Sequence, residues 1–120
     1  MRDHNKLRAF ELADNLALAI YKHTATFPRD EQFGLTSQMR RAAVSVPSNI
    51  VEGCARETIA DYVRFLDIAF GSLRELEYQA SLAARLGYLP NYDVLLPIIT
   101  ETSKVLGALI RSLRKPKPIA

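Results

Sequence analysis

The chain of 120 residues is long enough for one domain with a hydrophobic core, and its 48% hydrophobic and 24% charged residues are typical of a globular protein. A single cysteine, Cys54, excludes an intrachain disulfide and is typical of a reducing compartment. No uncharged apolar run approaches the roughly 18–20 residues of a membrane span, and the N-terminal segment is unlike a signal peptide. We therefore expect a cytoplasmic protein without a membrane partner.

The net charge of +3 is concentrated near the C-terminus. Residues 1–90 hold 11 basic and 11 acidic side chains, so the excess lies in the last thirty residues. The basic residues there are Lys104, Arg111, Arg114, Lys115 and Lys117. Because Pro116 and Pro118 forbid regular helix, we expect a helical domain over residues 1–114 and a short basic tail over residues 115–120. Such a tail either complements a helix dipole in solvent or contacts phosphate.

The first two predicted helices are separated by a break over residues 26–34, where Pro28 and Gly34 interrupt the pattern. The first helix runs from about Lys6 to Thr24. The second begins near Thr36, and its apolar residues are spaced three or four apart. These residues are Leu35, Met39, Ala42, Ala43, Val46 and Ile50.

The third helix has the most regular apolar pattern. Thr58 is a suitable N-cap, the helix continues to about Leu86, and Gly87 is a suitable residue just beyond its end. Its heptad seam consists of Tyr62, Leu66, Ala69, Leu73, Leu76, Ala80 and Ala83. The side chains expected to widen this apolar face are Phe65, Ile68, Leu82 and Leu86.

A fourth helix begins between Asn91 and Pro97 and continues to about Leu113. Because strand patterns are absent, the sequence predicts an all-α, antiparallel up-down-up-down four-helix bundle. Residues 16–21 and 94–99 are apolar on more than one side of their helices. This pattern favours self-association, and burial beneath the 26–34 segment is the alternative.

Residues 38–53 combine a proline, paired arginines and small polar residues within the second helix. Pro47 costs roughly 3 kcal/mol in a helix interior, so the helix is either kinked there or ends and restarts. Ser45, Ser48 and Asn49 are suited to binding the freed backbone groups. A ligand at the exposed carbonyl groups is the alternative to a purely structural role.

Gly53 and Gly71 are predicted to mark a close approach of the second and third helices. A glycine inside a helix costs about 1 kcal/mol relative to alanine, which implies a packing reason. Ser45 and Ser72 are small neighbours that extend the two patches.

Arg40 and Arg41 are adjacent, so they point about 100° apart on a helix. Glu75 lies on the widened apolar face of the third helix, where a carboxylate needs a partner. We expect an interhelical ion pair, either Arg41–Glu75 or Arg40–Glu77, that sets the register of the two helices. The functional alternative is an arginine contact to phosphate.

Catalytic constellations are missing from the sequence. Neither His4 nor His23 follows a glutamate three residues earlier, so the signature of di-iron bundles is absent. Cys54 alone gives no zinc spacing, and there is no glycine-rich phosphate loop. A Cys54–His23 nucleophile pair remains as the alternative to a small packing residue. We expect a protein that is not an enzyme and that has no metal, cofactor or small-molecule substrate.

Three segments carry a resemblance to one family: residues 38–53 (QMRRAAVSVPSNIVEG), residues 65–69 (FLDIA) and residues 72–77 (SLRELE). The motif positions of structural interest are Pro47, Asn49, Glu52, Gly53, Glu75 and Glu77. Over nearly its whole length, the chain resembles the bacterial four-helix-bundle proteins of the 23S rRNA intervening-sequence protein family.

The resemblance implies a bundle that assembles into a ring, with a homopentamer favoured, and no established activity. Related proteins accompany reverse transcriptases in diversity-generating retroelements and are similar to nucleic-acid-binding accessory subunits, so RNA or DNA binding is the leading function. The candidate contacts are Arg111, Arg114, Lys115 and Lys117, followed by Arg40 and Arg41. The alternative is a protein-interaction scaffold that binds no nucleic acid, which the balanced charge of residues 1–90 supports.

Overall fold

Helices make up most of the chain in the computed structural model, which describes residues 2–115. The four helices are α1 (Arg8–Thr24), α2 (Leu35–Cys54), α3 (Ile59–Arg85) and α4 (Tyr92–Arg114). Short 3₁₀ helices, at His4–Lys6 and Arg29–Glu31, precede α1 and α2. The described residues contain no strand, so the predicted all-α, four-helix fold is confirmed.

The ends of α3 follow the capping signals in the sequence. The Thr58 hydroxyl accepts a hydrogen bond from the Asp61 amide at 3.1 Å, which confirms Thr58 as the N-cap. Gly87 adopts a φ of 82°, and the Tyr88 amide donates to the Ala83 carbonyl at 2.9 Å. This is a Schellman motif, in which glycine adopts the left-handed conformation without steric cost.

Two prolines lie inside helices. Because α2 is continuous through Pro47, the alternative in which the helix ends and restarts there is wrong. The Asn49 side chain donates to the Ser45 carbonyl at 2.8 Å and thereby supports the backbone beside the proline. Pro97 lies in the second turn of α4, which begins at Tyr92.

The core lies between four helices that each contact two others. Both α1 and α3 contact α2 and α4, whereas no Cα atoms of the pairs α1/α3 and α2/α4 lie within 8 Å. All seven residues of the predicted α3 seam are buried, which confirms that pattern. Ile68 and Leu86 are exposed, however, so the prediction that they widen the buried face is wrong.

The two strongly apolar segments divide between the core and the surface. Leu16, Ile20, Leu95 and Ile99 are fully buried. Leu18, Tyr21, Val94 and Leu96 are exposed, with Leu18 at 66%, so burial beneath the 26–34 segment does not account for them. Across residues 2–115, no helix combines the length and apolarity needed to cross a membrane.

Candidate functional site

A polar contact joins the motif at residues 38–53 to α3. The Ser45 and Ser72 hydroxyl oxygens are 2.8 Å apart, and the Asn49 amide donates to the Ser45 hydroxyl at 3.0 Å. Beside these contacts lies a surface groove of about 280 Å³, lined by Gln38, Arg41, Ala42, Ser45, Ser72 and Glu75. The predicted close approach of α2 and α3 is therefore confirmed at Ser45 and Ser72.

The paired arginines of the motif have different surroundings. The Arg40 guanidinium lies 4.6 Å from the centre of the Tyr21 ring and donates to the Thr24 hydroxyl at 2.8 Å. It also donates to the Tyr21 carbonyl at 3.3 Å, so Arg40 joins α2 to the end of α1. Arg41 is exposed and has no ion-pair partner among residues 2–115.

Neither predicted interhelical ion pair is present, because both glutamates bind partners on their own helix. Glu77 pairs with Arg74 at 3.3 Å, and the Glu75 carboxylate accepts a hydrogen bond from the side-chain amide of Gln79 at 3.1 Å. Both the Arg41–Glu75 and the Arg40–Glu77 predictions are therefore wrong. Glu75 is exposed, since its side of α3 faces outward from the single chain.

Gly53 and Gly71 also have different surroundings, one packed against α3 and the other exposed. A Cβ atom on Gly53 would lie 3.0 Å from Phe65 Cβ and 3.2 Å from the Tyr62 carbonyl oxygen, so Gly53 permits close contact with α3. A Cβ atom on Gly71 would meet nothing within 4 Å, and the residue is exposed. The prediction that Gly71 lies in the α2–α3 contact is wrong, because it faces away from α2.

The end of α4 carries the other predicted nucleic-acid contacts. Arg114 forms an ion pair with Asp67 of α3, whereas the exposed side chains of Arg111 and Lys115 have no ion-pair partner within the described part of the chain. Arg111 and Arg114 both line a shallow cavity of about 190 Å³ that also contains Asp67. Lys117 lies outside the described residues. We call Arg111, Arg114 and Lys115 the α4 basic end.

A second group of arginines surrounds the start of α3. The guanidinium carbon of Arg2 lies 4.2 Å from the centre of the Tyr62 ring. Those of Arg56 and Arg64 lie 5.4 Å and 4.6 Å from the centre of the Phe65 ring. The adjacency of Arg64 and Phe65 is a signal that the sequence offers, but the approach of Arg2 depends on the tertiary fold.

Cys54 lies beside these rings in the core. Burial raises the pKa of its thiol, and its hydrogen bond with the Tyr62 hydroxyl only partly opposes this shift. Burial, and then the neighbouring Cys54, raises the pKa of Tyr62 to about 12. The Cys54 thiol is therefore protonated at neutral pH, as expected for a packing residue. No group of three His, Cys, Asp or Glu side chains within residues 2–115 is arranged to hold a metal ion.

The fold and these surfaces indicate the class of protein: a small all-α protein of four helices, with a polar contact between α2 and α3 and a basic end of α4. The chain belongs to the 23S rRNA-intervening sequence protein family, whose model matches residues 5–108. No curated protein matches it. It is similar in fold to a crystal structure of a protein of unknown function from the S23 ribosomal protein family of Bacteroides thetaiotaomicron VPI-5482, with a TM-score of 0.78 and 24% sequence identity over 86% of this chain and 95% of that one.

Proposed function

We propose that this protein is a non-enzymatic, oligomeric bundle protein that binds RNA or DNA through its α4 basic end. The carrying observation is that Arg111 and Lys115 are exposed and have no ion-pair partner within residues 2–115. Exposed arginine and lysine side chains without an ion-pair partner bind phosphate oxygens and release counterions from the nucleic acid. Arg40 is not part of the proposed surface, because Tyr21 and Thr24 already hold its guanidinium.

RNA is the first nucleic acid to test. The matching family is named for sequences that intervene in 23S rRNA, and the structural neighbour is assigned to an S23 ribosomal protein family. Each subunit supplies only a few free basic groups, so a single copy would bind weakly. An oligomer repeats the same surface, and several weak contacts then act together.

The test compares binding of short single-stranded RNA and DNA across a salt series. The variant Arg111→Gln/Lys115→Gln is matched with Arg74→Gln/Arg85→Gln, which removes the same charge from exposed α3 residues. We expect the first variant to bind more weakly and to lower the slope of log affinity against log salt by about 1.4, because about 0.7 is lost per phosphate contact on a single strand. Absence of wild-type binding at low salt, or an equal loss in both variants, would contradict the proposal.

The second candidate function is a self-assembling scaffold, and the exposed surface of α2 and α3 favours it. We call Arg41, Val44, Val51, Ile68, Gly71 and Glu75 the outer face. Val44, Val51 and Ile68 are 40%, 37% and 43% exposed, and their burial in an assembly would remove further apolar surface from water. Gly71 provides room for close approach by another helix. The family resemblance suggests a five-subunit ring.

The assembly test places a leucine on the outer face. Gly71→Leu adds a side chain that meets nothing in this chain, so the single chain should fold normally. Ala108→Leu is the control, because Ala108 is exposed on α4 and is not one of the outer-face residues. We expect native mass measurements to give an oligomer for wild type and for Ala108→Leu, and smaller species for Gly71→Leu. A monomeric wild type, or an unchanged oligomer in Gly71→Leu, would contradict this use of the outer face.

An up-down-up-down course of the helices is the topology we propose for the bundle. It is supported by short connections over residues 55–58 and 86–91, and by contacts between every pair of successive helices. Spin labels at Lys22 and Ser37 should then be close, since both lie at the α1–α2 connection. A separation equal to the length of α1 would contradict this topology.

A further inference from the structure

The arginines at the start of α3 are held by aromatic rings rather than by close carboxylates. Arg2 covers Tyr62, while Arg56 and Arg64 both lie against Phe65. A guanidinium that stacks on a ring uses its face and keeps its N–H groups at the edges. These three side chains are thus positioned while much of their hydrogen-bonding capacity stays available.

The acidic neighbours use little of that capacity. The closest nitrogen–oxygen distances are 3.8 Å for Arg56–Glu52 and 3.8 Å for Arg64–Asp61, both longer than a hydrogen bond. The Arg56 Nε atom is buried and has no hydrogen-bond partner among the described residues. The Arg56 side chain as a whole is 38% exposed, so its terminal guanidinium nitrogens remain within reach of a ligand oxygen.

A surface cavity of about 620 Å³ opens beside these groups and is lined by Arg2, Ala55, Arg56 and Glu57. The volume lies within the range of cavities that hold small ligands. Arg2 is fixed there because it donates to the Arg56 carbonyl at 2.7 Å. Two guanidinium groups and one carboxylate give the lining a net charge of +1, which complements the single negative charge of a phosphodiester.

We propose that this cavity binds a phosphodiester group of a single RNA strand, through the guanidinium groups of Arg2 and Arg56. The inference rests on the proposed nucleic-acid binding and adds a second contact region to it. The two regions are connected along α3: Arg64 precedes Asp67 by one helical turn, and Asp67 pairs with Arg114 of the α4 basic end. We expect a strand that follows the first turns of α3 to reach both regions.

The experiment measures binding of a short single-stranded RNA by wild type, Arg2→Gln and Arg56→Gln. Arg74→Gln is the matched control, since it removes an exposed α3 arginine outside the cavity. Loss of one charge-assisted phosphate contact should weaken binding by about tenfold and lower the salt slope by about 0.7. Thermal unfolding of each variant verifies the fold, and Arg56→Lys should retain part of the affinity because it keeps the charge.

Glu57→Gln provides a test in the opposite direction. Removing the carboxylate from the cavity lining should tighten RNA binding and leave thermal unfolding unchanged, because Glu57 is exposed and has no ion pair within residues 2–115.

The outcomes separate this inference from the proposed function. If RNA binding weakens in Arg111→Gln/Lys115→Gln but not in Arg2→Gln or Arg56→Gln, the cavity assignment is overturned and the α4 basic end remains. If wild type binds no RNA at low salt, both are overturned. Losses in both sets of variants, with Arg74→Gln unchanged, support the two contact regions together.

Discussion

Gly53 and Gly71 lie in two contrasting regions of α2 and α3. Gly53 lies where the helices are in contact, and a Cβ atom there would come within 3.0 Å of Phe65. Gly71 lies on the outer face, where a Cβ atom would meet nothing within 4 Å. The same residue type therefore has an explanation within one chain at the first position and none at the second. The comparison indicates that Gly53 serves packing within the chain, whereas Gly71 lies on a surface that is open to a partner.

The largest expected effect on stability is at Gly53, where α2 and α3 are in contact. Gly53→Leu should lower the free energy of unfolding by about 2–3 kcal/mol, because the added side chain would overlap Phe65 and the backbone of Tyr62. Urea unfolding monitored by circular dichroism measures this loss. Gly71→Leu is the matched control and should retain the helical signal. Equal destabilisation of the two variants would remove the contrast between the regions.

The adjacent residues Arg40 and Arg41 differ as the two glycines do, because Arg40 contacts another helix and Arg41 is exposed. Arg40→Ala should cost about 1–2 kcal/mol, because it removes two hydrogen bonds to the end of α1 and the contact with Tyr21. Arg41→Ala should change the stability of the single chain by no more than about 0.5 kcal/mol. Thermal unfolding at low protein concentration compares the two variants. A larger loss in Arg41→Ala would show that the outer face already contacts something in this state.

A smaller effect on stability, of opposite sign, is expected at the exposed Gly71. Gly71→Ala should stabilise the dissociated chain by about 0.5–1 kcal/mol, since alanine restricts the unfolded chain and favours helix. Urea unfolding under dilute conditions gives the value. A destabilisation there would mean that Gly71 packs against its own chain after all.

The last prediction is a loss of stability that occurs only at alkaline pH. The pKa of Tyr62, which packs beside Gly53, is raised to about 12 because burial disfavours the phenolate. The unfolded tyrosine has a pKa of about 10, so the folded state holds its proton more tightly. This contribution to stability is complete below pH 10 and is lost as the pH rises towards 12. Unfolding measured over this range should show a fall that is smaller in Tyr62→Phe; identical curves would contradict the assignment.

Helix positions and the core followed from local signals. The seven-residue seam of α3 is buried as its spacing predicts, and Thr58 and Gly87 occupy their expected places at its ends. Residues at intervals of three and four share one helix face in any fold, so this pattern needs no knowledge of neighbours. The family resemblance was recognisable for a related reason, since its motif contains the residues that pack α2 on α3.

The surroundings of the candidate basic residues did not follow from the sequence. Six basic residues were candidates, and the structure places Arg40 against α1 and Arg114 beside Asp67. The cavity beside Arg2 and Arg56 was missed altogether. Long charged side chains choose among several partners within reach, and those partners come from distant parts of the chain. Arg2 and Arg56, for instance, are 54 positions apart in sequence and share a hydrogen bond.

Residue type and spacing along one helix were enough to predict the four helices, the caps of α3, its buried seam and the family. Which glycine is packed, which of two adjacent arginines is free, and which aromatic rings support the arginines at the start of α3 became known from the contacts between helices. Those outcomes depend on the rotation of each helix about its axis and on which residues of other segments it meets. A rotation of one residue, about 100°, exchanges a buried position for an exposed one.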